Sequence, residues 1–397
     1  MIMQSRRKTV DKGATETPDN RGGLYIHVAY CRRKCLYCDF FSAGSRIAQW
    51  HRYIDALISE LRFRQDEIAC PLRTIYIGGG TPSLIPTEEF ERLVEALTPF
   101  MSEIEEFTIE ANPDDVTEEK LTAWKRGGVN RLSIGIQSFQ DNLLSAIGRR
   151  HDGKTAEESY RLAREYFSNI SIDLMFGLPC QTMAMWREDV DKAISLQPEH
   201  VSAYSLMYEP GTAMTVLRDN GKLQEMPEET SGAMFARLIE RLREAGYDHY
   251  EISNFARPGH RSLHNSSYWL QRPYLGIGPS AHSYDGRKCR KANSADLNGY
   301  LRHWAPLEGK PDYGYEVTEE SLSAVELREE YVMTRLRTRE GIPLDDYSNR
   351  FGEIEKEALL KRSVTMIEDG MLELKENRLS LSEDAIMVSD SVILAIV

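Results

Sequence analysis

The sequence contains no apolar run approaching the roughly 20 residues that a helix needs to cross a bilayer. Nor does an apolar stretch follow the basic Arg6, Arg7 and Lys8, as a secretory signal requires. Residues 1–23 are polar and read as a disordered leader, and the chain is expected in the cytoplasm with no transmembrane segment. Positive charge is in deficit: 49 Lys and Arg face 62 Asp and Glu, a formal net charge of −13. A duplex-binding surface gathers cations against phosphates, so no nucleic-acid partner is expected. Cysteine is scarce, with six in 397 residues, which excludes the dense disulfide framework of a small secreted domain. No internal repeat is visible, and no low-complexity segment beyond the leader. What remains is the composition of an ordinary globular protein, long enough to bury a large core in about two or three domains.

The few cysteines are unevenly placed. Cys70, Cys180 and Cys289 are isolated, whereas Cys31, Cys35 and Cys38 fall in one short segment, Tyr30-Cys-Arg-Arg-Lys-Cys-Leu-Tyr37-Cys-Asp-Phe40. Structural zinc takes four protein ligands, usually from two separated pairs. Three thiolates leave one site free, which suits a 4Fe–4S cluster whose fourth iron binds something else. Three structural cysteines or an incomplete zinc site is the alternative account.

From residue 24 onward, short β-rich runs alternate with longer amphipathic stretches. Strands are expected at 24–29, 74–77, 107–109, 131–134, 171–175 and 200–205, with helices at 47–64, 87–100, 118–126, 155–167 and 185–196. Such alternation implies parallel strands with right-handed crossovers, forming a barrel, a partial barrel or a doubly wound sheet. The expected divisions are a partial barrel at 24–210, an extension with an irregular pocket-covering segment at 211–317, and a small C-terminal domain at 318–397. That last domain reads as helical, of winged-helix type, ending in a hairpin.

Each expected strand ends in residues that a plain core strand does not need. The cysteines follow the first, and Gly78-Gly-Gly-Thr-Pro-Ser83 follows the second. Glu110-Ala-Asn112 ends the third, Gly135-Ile-Gln137 ends the fourth, Asp173 lies in the fifth, and Tyr204 ends the sixth. Singly, each has a structural account: a tight glycine turn, Glu110 as a helix cap, Gln137 as a satisfied core amide, Asp173 as a partner for Arg149. Together they describe one pocket, because the carboxyl ends of parallel strands share a face.

The cysteine loop resembles the signature of the radical SAM superfamily, with Tyr37 as the aromatic before the last cysteine. That resemblance implies a 4Fe–4S cluster on Cys31, Cys35 and Cys38. It also implies an open iron that chelates S-adenosylmethionine (SAM), and reductive cleavage to a 5′-deoxyadenosyl radical. In order along the chain, Tyr25-Ile-His27, the glycine run, Arg131-Leu-Ser-Ile-Gly-Ile-Gln-Ser-Phe139, Gly148-Arg149-Arg-His151 and Ile172-Asp-Leu-Met-Phe-Gly-Leu-Pro179 resemble oxygen-independent coproporphyrinogen III oxidase and its relatives. The resemblance runs from about residue 24 to the C-terminus. It implies an α/β fold, a partial (βα)6 TIM-type barrel with a small helical, winged-helix-like C-terminal domain. It also implies a SAM site of Tyr25, Tyr37, Gly79, Gly80, Thr81, Glu110, Gln137, Arg149 and Asp173.

Two branches of that family compete. The oxidases decarboxylate two propionates of coproporphyrinogen III to vinyl groups; the HemW-type heme chaperones bind heme and pass it to apoproteins. The oxidases carry a fourth cysteine two positions after the third, where this sequence has Phe40, and have a long segment before the cluster. Both points favour the chaperone branch, leaving catalysis open. His264-Asn-Ser-Ser-Tyr268-Trp269 matches a motif of that branch, and His264 is the expected axial ligand of heme, with aromatic walls beside it. His282 is a weaker second candidate, and Cys180 stands where relatives usually have glycine.

Overall fold

The computed structural model describes residues 21–44, 49–68, 71–306 and 315–397; residues 1–20 of the expected leader and Cys70 lie outside the described residues. Six strands lie side by side in chain order, all parallel: β1 (Gly22–Val28), β2 (Leu72–Gly79), β3 (Glu106–Ala111), β4 (Arg131–Gln137), β5 (Ile170–Phe176) and β6 (His200–Ser205). Their crossovers carry α1 (Trp50–Arg64), α2 (Thr87–Leu97), α3 (Glu118–Arg126), α4 (Asp141–Ala146), α5 (Gly153–Tyr166) and α6 (Met183–Leu196). A doubly wound sheet reverses its strand order at a switch point. This one never does, so its right-handed crossovers all lie on the same face and the other face turns inward.

Alternation along each strand sorts the two faces. Leu24, Ile26, Val28, Ile75, Ile77, Phe107, Ile109, Leu132, Ile134, Ile172 and Leu174 are fully buried against the helices. Phe90, Leu93 and Leu97 give α2 its inward stripe by helical spacing. Thr117, Asp152 and Thr182 start α3, α5 and α6 by accepting a backbone N–H in the first turn. The opposite parity is polar: Tyr25, His27, Tyr76, Glu106, Glu110, Arg131, Ser133, Asp173 and Ser202 project into the lumen.

After α7 (Ala213–Asp219) and α8 (Glu228–Glu244), residues 250–290 depart from the irregular segment that the sequence implies. β7 (Asp248–Glu251) and β8 (Asn254–Ala256) continue the sheet antiparallel past β6. The chain then crosses beneath the lumen through α9 (Leu263–Trp269) and returns as β9 (Tyr274–Ile277), parallel to β1 on the other side. β10 (His282–Tyr284), β11 (Cys289–Asn293), α10 (Leu297–Trp304) and β12 (Val317–Ser321) follow, and the strands among them pair antiparallel. These strands are too short to show a period of two in the sequence, which hid them. The sheet runs β12-β11-β10-β9-β1-β2-β3-β4-β5-β6-β8-β7 and does not close.

Helix α9 is seated by a buried carboxylate. Glu106 on β3 accepts from the backbone N–H of Leu263 (2.8 Å) and of His264 (2.9 Å), and from the Ser262 hydroxyl (3.4 Å). Arg131 of the neighbouring β4 approaches the same carboxylate at 4.0 Å. A negative charge at the first turn of a helix is where its dipole favours one.

A second apolar core, with Tyr331, Leu336, Tyr347, Leu359, Leu379 and Ile393, organises the C-terminal part. It comprises α11 (Ala324–Leu336), β13 (Ile342–Pro343), α12 (Leu344–Phe351), α13 (Glu353–Glu368), β14 (Leu372–Lys375) and β15 (Arg378–Leu381). Helices and a three-stranded sheet in this order are winged-helix-like, but the hairpin is not the end: α14 (Ser389–Leu394) follows it. This part docks beneath the barrel. The Arg337 guanidinium lies 5.2 Å over Trp269 of α9, and Arg339 N–H donates to the Tyr250 carbonyl at 3.0 Å.

Candidate functional site

The cysteine loop is tied down on both sides. At its base Tyr30–Cys31 pairs in parallel with Ala43–Gly44. In its middle, Leu36 N–H donates to the Ile147 carbonyl (3.1 Å), and the Leu36 carbonyl accepts from Met214 N–H (2.8 Å). Arg32 reaches the buried Asp115 at 3.2 Å, which Ser83 also contacts at 3.2 Å. The three thiols are thereby held at the mouth of a cavity of about 380 Å³.

Tyr37, Gly79, Gly80, Thr81, Glu110, Gln137, Arg149 and Asp173 line the same cavity. Tyr25 does not: its ring stacks behind Tyr76 at 6.2 Å, and its hydroxyl meets His27 Nδ1 at 3.1 Å. The glycine run has a packing requirement of its own. Gly79 has φ 107°, and a Cβ there would sit 2.7 Å from the His27 ring; one on Gly80 would sit 2.7 Å from the Val28 carbonyl and 2.8 Å from that of Tyr30. Small residues let the end of β2 close against the cysteine loop. Gln137 also has positive φ (69°), at a bulge in the β4–β5 pairing that turns its side chain into the cavity.

Two donors are aimed at sulfur. The Thr81 hydroxyl donates to Cys31 Sγ at 3.3 Å, and Arg149 Nη1 donates to Cys35 Sγ at 3.6 Å. Arg149 also binds Asn112 Oδ1 (2.8 Å) and the Gly135 carbonyl, and forms no pair with Asp173. Asp173 accepts instead from Ser133 at 3.2 Å. Burial pushes the Cys38 thiol up to about 11, so a thiolate there needs a bound cation to balance it. Among the described residues, no three His, Cys, Asp or Glu side chains converge as the ligands of one ion would. Three cysteines are one ligand short of a closed structural zinc site, whereas a 4Fe–4S cube held by three thiolates keeps one iron open.

Deeper in the cavity, burial pushes Glu110 up to about 7, with the nearby Asp173 carboxylate adding to the rise, and burial pushes Asp173 up to about 6. Glu110 accepts from the Tyr76 hydroxyl (2.7 Å) and from Gly79 N–H (3.2 Å). An unfolded glutamate titrates near about 4.3. The folded state therefore holds the proton longer, and stability falls as pH rises from about 4.5 to about 7. Glu110→Gln should remove part of that loss. Its urea midpoint is expected to exceed wild type at pH 8 and to match it at pH 4. Equal midpoints at both pH values would contradict the buried carboxyl's titration.

The expected heme ligand is placed elsewhere. His264 is buried in the barrel floor, with one ring nitrogen 2.7 Å from Thr74 Oγ1 and the other 2.9 Å from the Tyr268 hydroxyl. Burial pushes it down to about 3, so it stays neutral, and neither nitrogen is free for iron. Tyr268 and Trp269 are engaged with Tyr274 and Arg337, not with an open pocket. His282 is exposed on β10 and Cys180 is exposed in the loop after β5; neither lines the cavity. Tyr76, Asn112, Arg131, Ser133, Ser202 and Asn265 do line it and are not among the expected site residues, although Asn112, Arg131, Ser133 and Asn265 lie within the motifs. Strand parity marks most of them: they sit at alternate positions among aliphatic residues, in strands whose other face is fully buried.

A barrel-type parallel sheet with three cysteines at its carboxyl edge defines a radical SAM protein. Residues 25–193 match the family model of the radical SAM superfamily, and residues 322–388 match that of the HemN C-terminal domain. The chain is 38% identical over 333 residues to heme chaperone HemW of Bacillus subtilis, covering 83% of this chain and 86% of that one. It is 34% identical over 337 residues to heme chaperone HemW of Escherichia coli, covering 81% and 83%. Coproporphyrinogen III oxidase (HemN) of Escherichia coli shares the fold, with a TM-score of 0.79, 21% identity and coverage of 96% and 91%. The chain belongs to the HemW heme chaperone family. Membership of the radical SAM superfamily implies a 4Fe–4S cluster and SAM. Among the described residues no helix is long and apolar enough to cross a membrane.

Proposed function

We propose that the chain holds a 4Fe–4S cluster on Cys31, Cys35 and Cys38, with SAM beside it. On that platform it takes up heme and delivers it to apoproteins in the cytoplasm, where a reducing environment keeps the thiols free. The observation that carries the cofactor reading is the trio of thiols at one cavity mouth, two of them already receiving hydrogen bonds. Charge-assisted donors of this kind stabilise thiolate ligands and tune a cluster.

The rest of the cavity fits a zwitterionic, sulfonium-bearing cofactor. Arg149 keeps one buried donor, Nε, without a protein partner, suited to a carboxylate. Glu110, Asp173 and Gln137 offer acceptors to an amino group and to hydroxyls. Tyr37 supplies an apolar wall beside the cysteines, and Tyr25 braces Tyr76 from behind. Gly79, Gly80 and Thr81 bring backbone close to the thiols. Together, cluster and SAM supply reductive cleavage of the sulfonium, the chemistry of the superfamily. The chain's own residues orient that cofactor and keep water from it.

The heme reading is supported by the bacterial relatives named heme chaperone HemW. Anaerobically reconstituted protein should take up heme with a saturable Soret band and release it to an apocytochrome. With coproporphyrinogen III, SAM and a reductant it should form no divinyl product. Failure to bind heme rejects the chaperone reading; formation of product replaces it with the oxidase.

A further inference from the structure

The lumen is a poor seat for a tetrapyrrole. Its floor is occupied by α9, and its walls carry Glu110, Asp173, Arg131, Ser133 and Ser202, which would have to be desolvated against an apolar macrocycle. The rim of the cavity is different. Three large apolar side chains stand there in water: Phe40 (62% exposed), Met207 (65%) and Tyr204 (42%). They come from two separate segments, the end of the cysteine loop and the end of β6, yet border one opening. Exposed apolar groups gathered at one opening mark a binding surface, whereas scattered single ones do not. Nothing in the fold needs Phe40, which occupies the position where the oxidases place a further cysteine.

The rim is also charged. Arg32, Arg33 and Lys34 are three successive exposed cations on an otherwise acidic chain. Arg32 is engaged with Asp115, whereas Arg33 and Lys34 form no ion pair among the described residues. Arg33 borders the opening together with Asp39 and Glu209, and the exposed Lys34 adjoins Arg33 in the chain, so Arg33 is the rim cation on which an anion would settle.

We propose that heme lies across this rim, its plane on Phe40 and Tyr204, its iron on the Met207 thioether, and its two propionates towards Arg33 and Lys34. Thioether sulfur is an accepted axial ligand of heme iron, and aromatic faces suit the ring. This placement rests on the heme-binding reading above and goes beyond it by assigning the surface and the ligand. No electron transfer or covalent change is required, only coordination.

The test is titration of hemin into the anaerobically reconstituted full chain, comparing wild type with Met207→Leu, Phe40→Ala and His264→Ala. Met207→Leu keeps bulk and apolarity but removes sulfur. It is expected to lose the near-infrared thioether-to-iron charge-transfer band of ferric heme and to weaken affinity by about 10-fold, with cluster iron and sulfide at the wild-type level. Phe40→Ala should weaken affinity while keeping the band. Uptake by wild type with a Met207→Leu spectrum and affinity unchanged overturns the rim placement alone. A spectral change confined to His264→Ala moves the heme to the floor and also overturns it. Absence of heme uptake by wild type overturns the chaperone reading and this inference together.

Discussion

Cys35→Ser is expected to abolish cluster assembly: anaerobic reconstitution should leave well under one iron per chain, against about four for wild type. The argument has two parts. A cube bound by three thiolates loses a whole anchoring corner with any one of them, and serine is a much poorer ligand for iron. Cys35 is also the sulfur that Arg149 contacts, so its loss removes the charge compensation built for it and leaves a buried guanidinium short of a partner. The loop itself should stay in place, since its base ladder and the Leu36 hydrogen bonds do not involve the thiol. Far-ultraviolet circular dichroism should therefore be unchanged while the iron–sulfur absorbance disappears. Full iron and sulfide in the variant, or a single zinc in wild type, would sink the cofactor reading.

The largest stability effect should come from Glu106→Ala. This carboxylate is 3% exposed, accepts three hydrogen bonds from the start of α9, and approaches Arg131 at 4.0 Å. Deleting it leaves two backbone N–H groups and a hydroxyl without their acceptor and takes a neighbouring carboxylate from the buried Arg131 guanidinium. Removal of one partner from such a site costs about 3–5 kcal/mol, a large part of the roughly 5–15 kcal/mol that holds a domain together. Urea denaturation should show it, and Glu106→Gln, which keeps an acceptor, should lose less. A loss below about 1 kcal/mol for the alanine variant would mean that α9 is seated by its side-chain contacts alone.

Much of the fold is legible in the sequence, and the reason is visible in particular strands. Arg131-Leu-Ser-Ile-Gly-Ile-Gln137 buries Leu132, Ile134 and Ile136 on one face with polar residues between them, so its strand character and the direction of its lumen face can both be read. Helix 118–126 is bounded by a capping threonine and a following glycine, and its limits coincide with those observed. The segment 250–290 was opaque because strands such as Asn254–Ala256 have three residues, too few for any period. The cysteine loop and glycine run are local in the sequence and could be read together. His264 illustrates the opposite limit. A histidine beside Tyr268 and Trp269 looks like a ligand in an aromatic setting. Only the long-range contact with Thr74, 190 residues away, shows that its hydrogen bonds are already spent on the floor.

The unclosed sheet has a consequence for how this architecture can vary. In a sealed cylinder, bore is dictated by strand number and stagger, and widening it means rebuilding every ladder. Here β12 and β7 are free edges, so no closed ladder fixes the separation of the walls. The floor between them is one seven-residue helix, its first turn seated by Glu106 and its body by contacts with Thr74 and Arg337. Lengthening, shortening or tilting it would retune the depth of the chamber without touching the cysteines, which lets one scaffold serve guests of different size while its metal end stays constant.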